Sequence, residues 1–118
     1  MSNSAATFTV NPFPNGVDDR ARFRELFGTV AISAGSYPAN GIPVTQIDSD
    51  PYGSNAPVWL EMQGVSGYVF IYDPTHVTIR IFESAGSAAP LTEVSTTTPS
   101  GVVSDTIAFR CTLLRANK

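Results

Sequence analysis

Charge is scarce in this sequence. Only 14% of its 118 residues are Asp, Glu, Lys or Arg, against roughly a quarter in an average soluble domain. So thinly charged a surface fits a protein whose exterior largely faces other protein. Basic residues are the scarcest, seven against ten acidic, for a net charge of −3. Nucleic-acid binding through phosphates needs a basic surplus, so that partner class is set aside. Lysine occurs once, as Lys118, beside six arginines; arginine is the cation suited to part-buried pairs and interfaces. Cysteine also occurs once, as Cys111, which excludes an internal disulfide. It sits in an apolar alternation and reads as a buried, inert thiol. One histidine, His76, far from the one cysteine is no zinc cluster. No run approaches the ~18 apolar residues of a membrane span. The opening MSNSAATFTV has neither the basic region nor the long apolar stretch of a secretory signal. The expectation is a soluble protein with no membrane partner, made in a reducing compartment.

Apolar residues, by contrast, make up 42% of the chain, enough to bury one core in a chain of single-domain length. The clearest segment is GYVFIYDPTHVTIRIF, residues 67 to 82. Tyr68, Phe70 and Tyr72 share one face of a first strand, and Val77, Ile79 and Ile81 one face of a second. Asp73-Pro74-Thr75-His76 has turn chemistry. With those four as the loop, Tyr72 opposes Val77, Phe70 opposes Ile79 and Tyr68 opposes Ile81. Aromatic against β-branched is a favourable cross-strand pairing, so these six are the expected core face. Val69 and Ile71, with Thr78 and Arg80, form a second face that is only half polar.

PVWLEMQG, residues 57 to 64, and DTIAFRCTLL, residues 105 to 114, alternate as strands with one buried face. Val58, Leu60 and Met62 are the inward set of the first; Ile107, Phe109, Cys111 and Leu113 that of the second. ATFTV, residues 6 to 10, is a short strand that stops at NPFPNG. DDRARFRELFGTVAIS, residues 18 to 33, reads as one long bent strand with Gly28 at a bulge or break. A short helix over 18 to 27, capped by Asp18 and Asp19, is the alternative. Between these lie turn-rich stretches: 34 to 57 holds four prolines and three glycines, and 84 to 104 is a polar linker of Ser, Thr, Ala, Pro and Gly. The expected fold is all-β, an antiparallel β-sandwich or small β-barrel with long Pro/Gly-rich loops. Residues 1 to 17 are expected to form an N-terminal arm and 18 to 118 a single β-sandwich domain.

No catalytic constellation emerges. His76 lies beside Asp73, but in a turn, where polar residues are ordinary, and with no nucleophile paired to it. GVSGY fails the nucleophile-elbow pattern at its last position. DSDPYGSN, residues 48 to 55, partly matches a calcium loop through Asp48, Asp50 and Gly53. Tyr52 and Trp59 stand where ligands belong, so it is no EF-hand; a polar loop is the reading, with weak calcium binding left open. No glycine-rich strand-to-helix loop is present. The expectation is a protein without enzymatic activity, cofactor or dedicated metal. Arg20, Arg22 and Arg24 would line one strand face, either as charge that blocks an open edge or as a contact for an acidic partner.

The order of segments resembles a known family. SYPANGIPV, residues 36 to 44, resembles an S-Y-P-x-G-G-x-x-L segment. GYVFIYDPTHVTIRIF resembles a G-Y-V-F-x-Y-D-x-x-x-x-K-I-K-V hairpin, and SDTIAFRCTLL a closing strand of the form T-x-R-V-L-V-I. These are features of small capsid decoration, or cement, proteins of tailed bacteriophages, and the likeness runs over residues 20 to 114. Thr78 and Arg80 stand where that family commonly has lysine. The resemblance implies a virion structural protein on the capsid surface, made in the host cytoplasm. Its partners would be the major capsid protein and copies of itself, as a trimer. Candidate interface residues are Arg20, Arg22, Arg24, Tyr37, Tyr52, Val69 and Ile71. Tyr37 is either an interface anchor or a side chain that closes the core. The alternative class is a receptor- or carbohydrate-binding β-sandwich module of a fibre or tail, which would expose aromatics such as Trp59, Tyr52 and Tyr37 beside carboxylates.

Overall fold

Alternating apolar residues in the last third of the chain build the centre of the molecule, and earlier segments add to either side of it. The computed structural model describes residues 2–11, 17–19, 23–44, 57–84, 86 and 88–114. In chain order the described elements are β1 (Ala6–Val10), β2 (Val17–Asp19), β3 (Phe23–Ile32), β4 (Ile42–Pro43), β5 (Trp59–Gln63), β6 (Val69–Asp73), β7 (Thr78–Glu83), β8 (Thr92–Glu93), α1 (Ser100–Val103) and β9 (Ile107–Leu114). They form two antiparallel sheets in a sandwich-like, all-β arrangement. The larger runs β1-β3-β9-β5, with β2 also on β3; the smaller runs β4-β7-β6, with β8 also on β7. Among the described residues, no helix is long and apolar enough to cross a membrane.

The inward faces meet as expected from the alternation. Ile107, Phe109, Cys111 and Leu113 of β9 are buried, as are Leu60 of β5 and Leu26, Val30 and Ile32 of β3. From the smaller sheet come Phe70, Tyr72, Ile79, Ile81 and Ile42. Phe8 of β1 meets Phe109 edge to face, centroids 5.1 Å apart, a favoured aromatic geometry. Val58, expected inward, precedes β5 and is exposed.

Four expectations are corrected. First, the hairpin loop lies one residue later than its turn chemistry implied. Asp73 belongs to β6 and pairs with Thr78, so Tyr72 faces Ile79, Phe70 faces Ile81 and Ile71 faces Arg80. The partners move by two positions. A two-residue shift keeps every side chain on its face, so Phe70, Tyr72, Ile79 and Ile81 are still core. Val77 instead enters the loop at φ 55°. It and Tyr68 pack against the core from its margin. Second, residues 18 to 33 are neither one strand nor a helix. β2 folds back antiparallel on β3, Asp19 opposite Arg24, along the same edge that receives β1. Third, residues 6 to 10 are no arm: β1 pairs along Gly28–Ile32 of β3 and buries Phe8, because Ala6–Val10 alternates into the core. Fourth, the polar linker contains β8 and α1, which bury Val94 and Val102.

Gly28 is no bulge either. It holds regular register with Val10 on one side and Phe109 on the other. Its lack of a side chain is a packing requirement: a Cβ there would lie 1.9 Å from the Thr9 carbonyl oxygen and 3.0 Å from the Phe109 ring. Neither neighbour can yield without moving β1. Gly28→Ala is therefore expected to destabilise the fold by about 1–3 kcal/mol, as overpacking does, read as a lowered urea midpoint. An unchanged midpoint would contradict this packing of β1 on β3.

Candidate interaction surface

SYPANGIPV is a clamp, built from its backbone outward. The Ser36 amide donates to the Ser2 carbonyl at 2.9 Å, and its own carbonyl accepts from Ser4 N–H at 2.9 Å. Tyr37 N–H donates to Thr96 C=O at 3.0 Å. Beneath them the buried hydroxyls of Ser4 and Thr98 lie 2.7 Å apart. The segment is thus held between the N-terminal residues and residues 96–98. Asn40 and Gly41 then take φ of 68° and 99°, the left-handed region that Asn and Gly tolerate best. A Cβ at Gly41 would sit 2.4 Å from the Ile79 carbonyl oxygen, so only glycine lets the loop approach β7 this closely. Thr78 Oγ1 donates to the Asn40 carbonyl.

This clamp delivers the Tyr37 side chain to the edge of β7. Its phenol oxygen accepts the Ile81 backbone N–H at 3.1 Å and donates to Glu93 Oε2 at 2.6 Å. Glu93 in turn accepts two hydrogen bonds from Arg80, Nε to Oε2 at 3.0 Å and Nη2 to Oε1 at 2.6 Å. Arg80 Nη1 also lies 3.6 Å from Asp73 Oδ2, which accepts from His76 Nδ1 at 2.8 Å. Asp73 Oδ1 accepts the turn amides of Thr75 and His76. A connected polar chain therefore runs Tyr37–Glu93–Arg80–Asp73–His76 across the smaller sheet. Burial and the Glu93 carboxylate push the Tyr37 phenol well above its ordinary value. The bidentate Arg80 contact, joined by the Tyr37 hydroxyl, holds Glu93 below the usual carboxylate range. The His76 contact and the two turn amides do the same for Asp73.

Val69 and Ile71 stand on the outer face of this sheet, 39% and 46% exposed, with Ile71 opposite Arg80. Beside them, β6 runs close to β5 at the corner between the sheets, bridged by Tyr72 Oη donating to the Pro57 carbonyl at 2.7 Å. A groove of about 300 Å³ lies along this corner, lined by Trp59, Leu60, Glu61 and Met62 from β5 and by Phe70, Ile71 and Tyr72 from β6.

Of the residues singled out in the sequence, Val69 and Ile71 lie in β6 of the smaller sheet, and Tyr37 reaches the edge of its β7 and packs against the core. Arg24 lies in β3, opposite Leu113 of β9. Arg20, Arg22, Tyr52 and the 48–55 loop lie outside the described residues. The single strand expected to carry all three arginines is replaced by the antiparallel pair β2 and β3, because Val17–Asp19 pairs with Arg24–Leu26. His76 and Asp73 do meet, inside their turn. Burial pushes the Cys111 thiol up to about 12, far from a reactive thiolate. Among the described residues no three His, Cys, Asp or Glu side chains gather as a metal site. Glu93 escaped notice in the sequence, where nothing local marks it. The sequence matches no protein-family model, no curated protein and no solved structure.

Tyr37→Phe removes both the acceptor for Ile81 N–H and the donor to Glu93. A cost of about 1–3 kcal/mol is expected for the amide left unpaired, measured by urea unfolding at neutral pH. The pH dependence has two limbs. Glu93 and Asp73 have lowered folded-state values, so the stability they contribute is present above their ordinary values of 4.5 and 3.8 and is lost as pH falls through the lowered ones. Tyr37 has a raised value, so its contribution holds below the ordinary 10.0 and is lost as pH rises further. The alkaline limb should be shallower in Tyr37→Phe; an identical limb would contradict the assignment.

Proposed function

We propose that the protein is a structural component of a tailed-bacteriophage virion, a capsid decoration protein that binds the capsid lattice and strengthens it. The sequence resemblance described above supplies the family. The observation that carries the reading is the outer face of the smaller sheet. Val69 and Ile71 are exposed there, while the charged side chains around them are already occupied with one another through Arg80, Glu93, Asp73 and His76. An apolar centre with a fixed polar surround is the anatomy of a protein–protein contact. Side chains held in place before binding lose little freedom on binding, which favours affinity.

Copies of the chain would bridge neighbouring capsid subunits, with the major capsid protein as partner. A stable lattice contact buries on the order of 1,000 Å² or more. A domain of 118 residues meets that demand best by sharing contacts, and a trimer multiplies weak ones through effective concentration. Threefold positions of a hexagonal lattice suit that symmetry.

The test is co-sedimentation with expanded empty capsids of the virus that encodes the chain, with light scattering on the free protein. Stoichiometric binding is expected. The double variant Val69→Ser, Ile71→Ser should bind at least about tenfold more weakly while keeping a cooperative urea transition, since both side chains lie on the outer face and outside the buried core. Capsids that fail to bind the wild-type chain would overturn the reading. Unaltered binding by the double variant would overturn the face assigned to it.

A further inference from the structure

The outer face of the larger sheet carries a second constellation, which meets the groove beside Ile71 at Trp59 and Glu61. Trp59 begins β5 and is 53% exposed. Glu61 and Gln63 follow it on the same outward face, as the burial alternation of the strand requires. Cross-strand register sets Trp59 against Thr112, Glu61 against Arg110 and Gln63 against Ala108 of β9. Arg110 Nη2 lies 2.9 Å from Glu61 Oε1, with both side chains more than half exposed. A shallow depression of about 290 Å³ opens here, lined by Glu61, Gln63, Ala108 and Arg110 over Met62 and Phe109. It exists because Ala108 has no bulk to fill the row between taller neighbours.

We propose that this depression and the Trp59 ring together bind a neutral carbohydrate. A lone exposed apolar side chain needs no ligand; what matters is the company Trp59 keeps. A pyranose has an apolar C–H face and a rim of hydroxyls that both donate and accept. The indole offers a flat apolar surface, large and rigid. Glu61, two residues along the strand and about 7 Å away, is an acceptor-only carboxylate beside the donor-only guanidinium of Arg110, and Gln63, two residues further on, adds an amide that does both. Charge decides the ligand class. Arg110 would attract a phosphate or carboxylate, but Glu61 beside it repels one, and the reverse holds for a cation. The walls cancel in charge while remaining rich in hydrogen-bonding groups, which suits an uncharged polyol. An exposed ion pair contributes little to stability, so ligand hydroxyls can open it at small cost. The volume sits at the small end of ligand sites, about 300 Å³ and upward, which fits one or two sugar rings.

Trp59 is the chain's one tryptophan, so its fluorescence reports on this face directly. The full chain would be titrated with maltohexaose, cellohexaose, chitohexaose and mannohexaose to about 10 mM, a range that reaches weak, millimolar affinity. Sialyllactose and inorganic phosphate serve as charged probes. Saturable change is expected with at least one neutral sugar, and none with phosphate. Amide NMR shifts should gather at residues 59–63 and 108–112. Glu61→Gln and Arg110→Gln should each weaken binding about tenfold, and Trp59→Ala should abolish the NMR shifts with its urea midpoint kept. No response to any neutral sugar would overturn the proposal. So would binding that survives Trp59→Ala, or a preference for sialyllactose or phosphate. Trp59 and Glu61 also line the groove beside Ile71, so the variants keep the two readings apart: Arg110→Gln should leave capsid binding intact, and Val69→Ser, Ile71→Ser should leave the sugar response intact.

Discussion

The smaller sheet depends on one backbone amide. β7 is bordered on one edge by two dipeptide strands, β4 opposite Thr78–Ile79 and β8 opposite Phe82–Glu83. Ile81 lies between them and points both its backbone groups at that gap. Its carbonyl accepts from Val94 N–H at 3.0 Å, and its amide is received by the Tyr37 hydroxyl at 3.1 Å. Buried amides left without a partner are costly, so a phenol stands in for a missing strand residue. Everything outward of it follows. Glu93 must sit where it can accept from the phenol, Arg80 is drawn over Glu93, and the Asp73–His76 turn is tied in through Arg80. The loop 36–44 has its shape because it must hold Tyr37 at that place.

That constraint also explains how scarce charge is used. On the smaller sheet the polar side chains are consumed by internal pairing, which leaves Val69 and Ile71 as the free chemistry of that face. On the larger sheet the Glu61–Arg110 pair stands open to solvent on strands that need nothing from it for their own pairing. One face is therefore suited to apolar contact with protein, the other to hydroxyl-rich ligands. Both lie on outer sheet faces over the same buried layer.

Asp105 gives the counterexample of a carboxylate spent wholly on local order. Burial would raise it, but hydrogen bonds from the Ser66 hydroxyl and the Val65, Ser66 and Thr106 amides outweigh that and leave it lowered. It fastens the loop before β6, and a Cβ at Gly64 would lie 2.0 Å from Asp105 Oδ2, so a larger residue there would displace the carboxylate from these bonds. Val77 shows a related compromise. A β-branched residue at φ 55° is strained, and the turn accepts this because Asp73 captures the Thr75 and His76 amides and is thereby kept in the strand.

By itself the sequence determined the all-β class, the inward set of β5, β6, β7 and β9, and the left-handed pair Asn40-Gly41. Those properties are local: a period of two places side chains on faces whatever the partner strand, and Asn-Gly tolerates positive φ in any context. Only the tertiary structure decided which strands are neighbours. The hairpin partners moved by two because a shift of that size leaves every face unchanged and so leaves no mark on the pattern. The pairing of β2 with β3 was equally silent, since the three residues Val17–Asp19 are too few to show a period. Gly28 looked like a defect until β1 lay against it. Glu93 had no local signature at all, because its meaning comes from Tyr37 and Arg80, which are 56 and 13 residues away in the chain and meet it only once both loops have closed on β7.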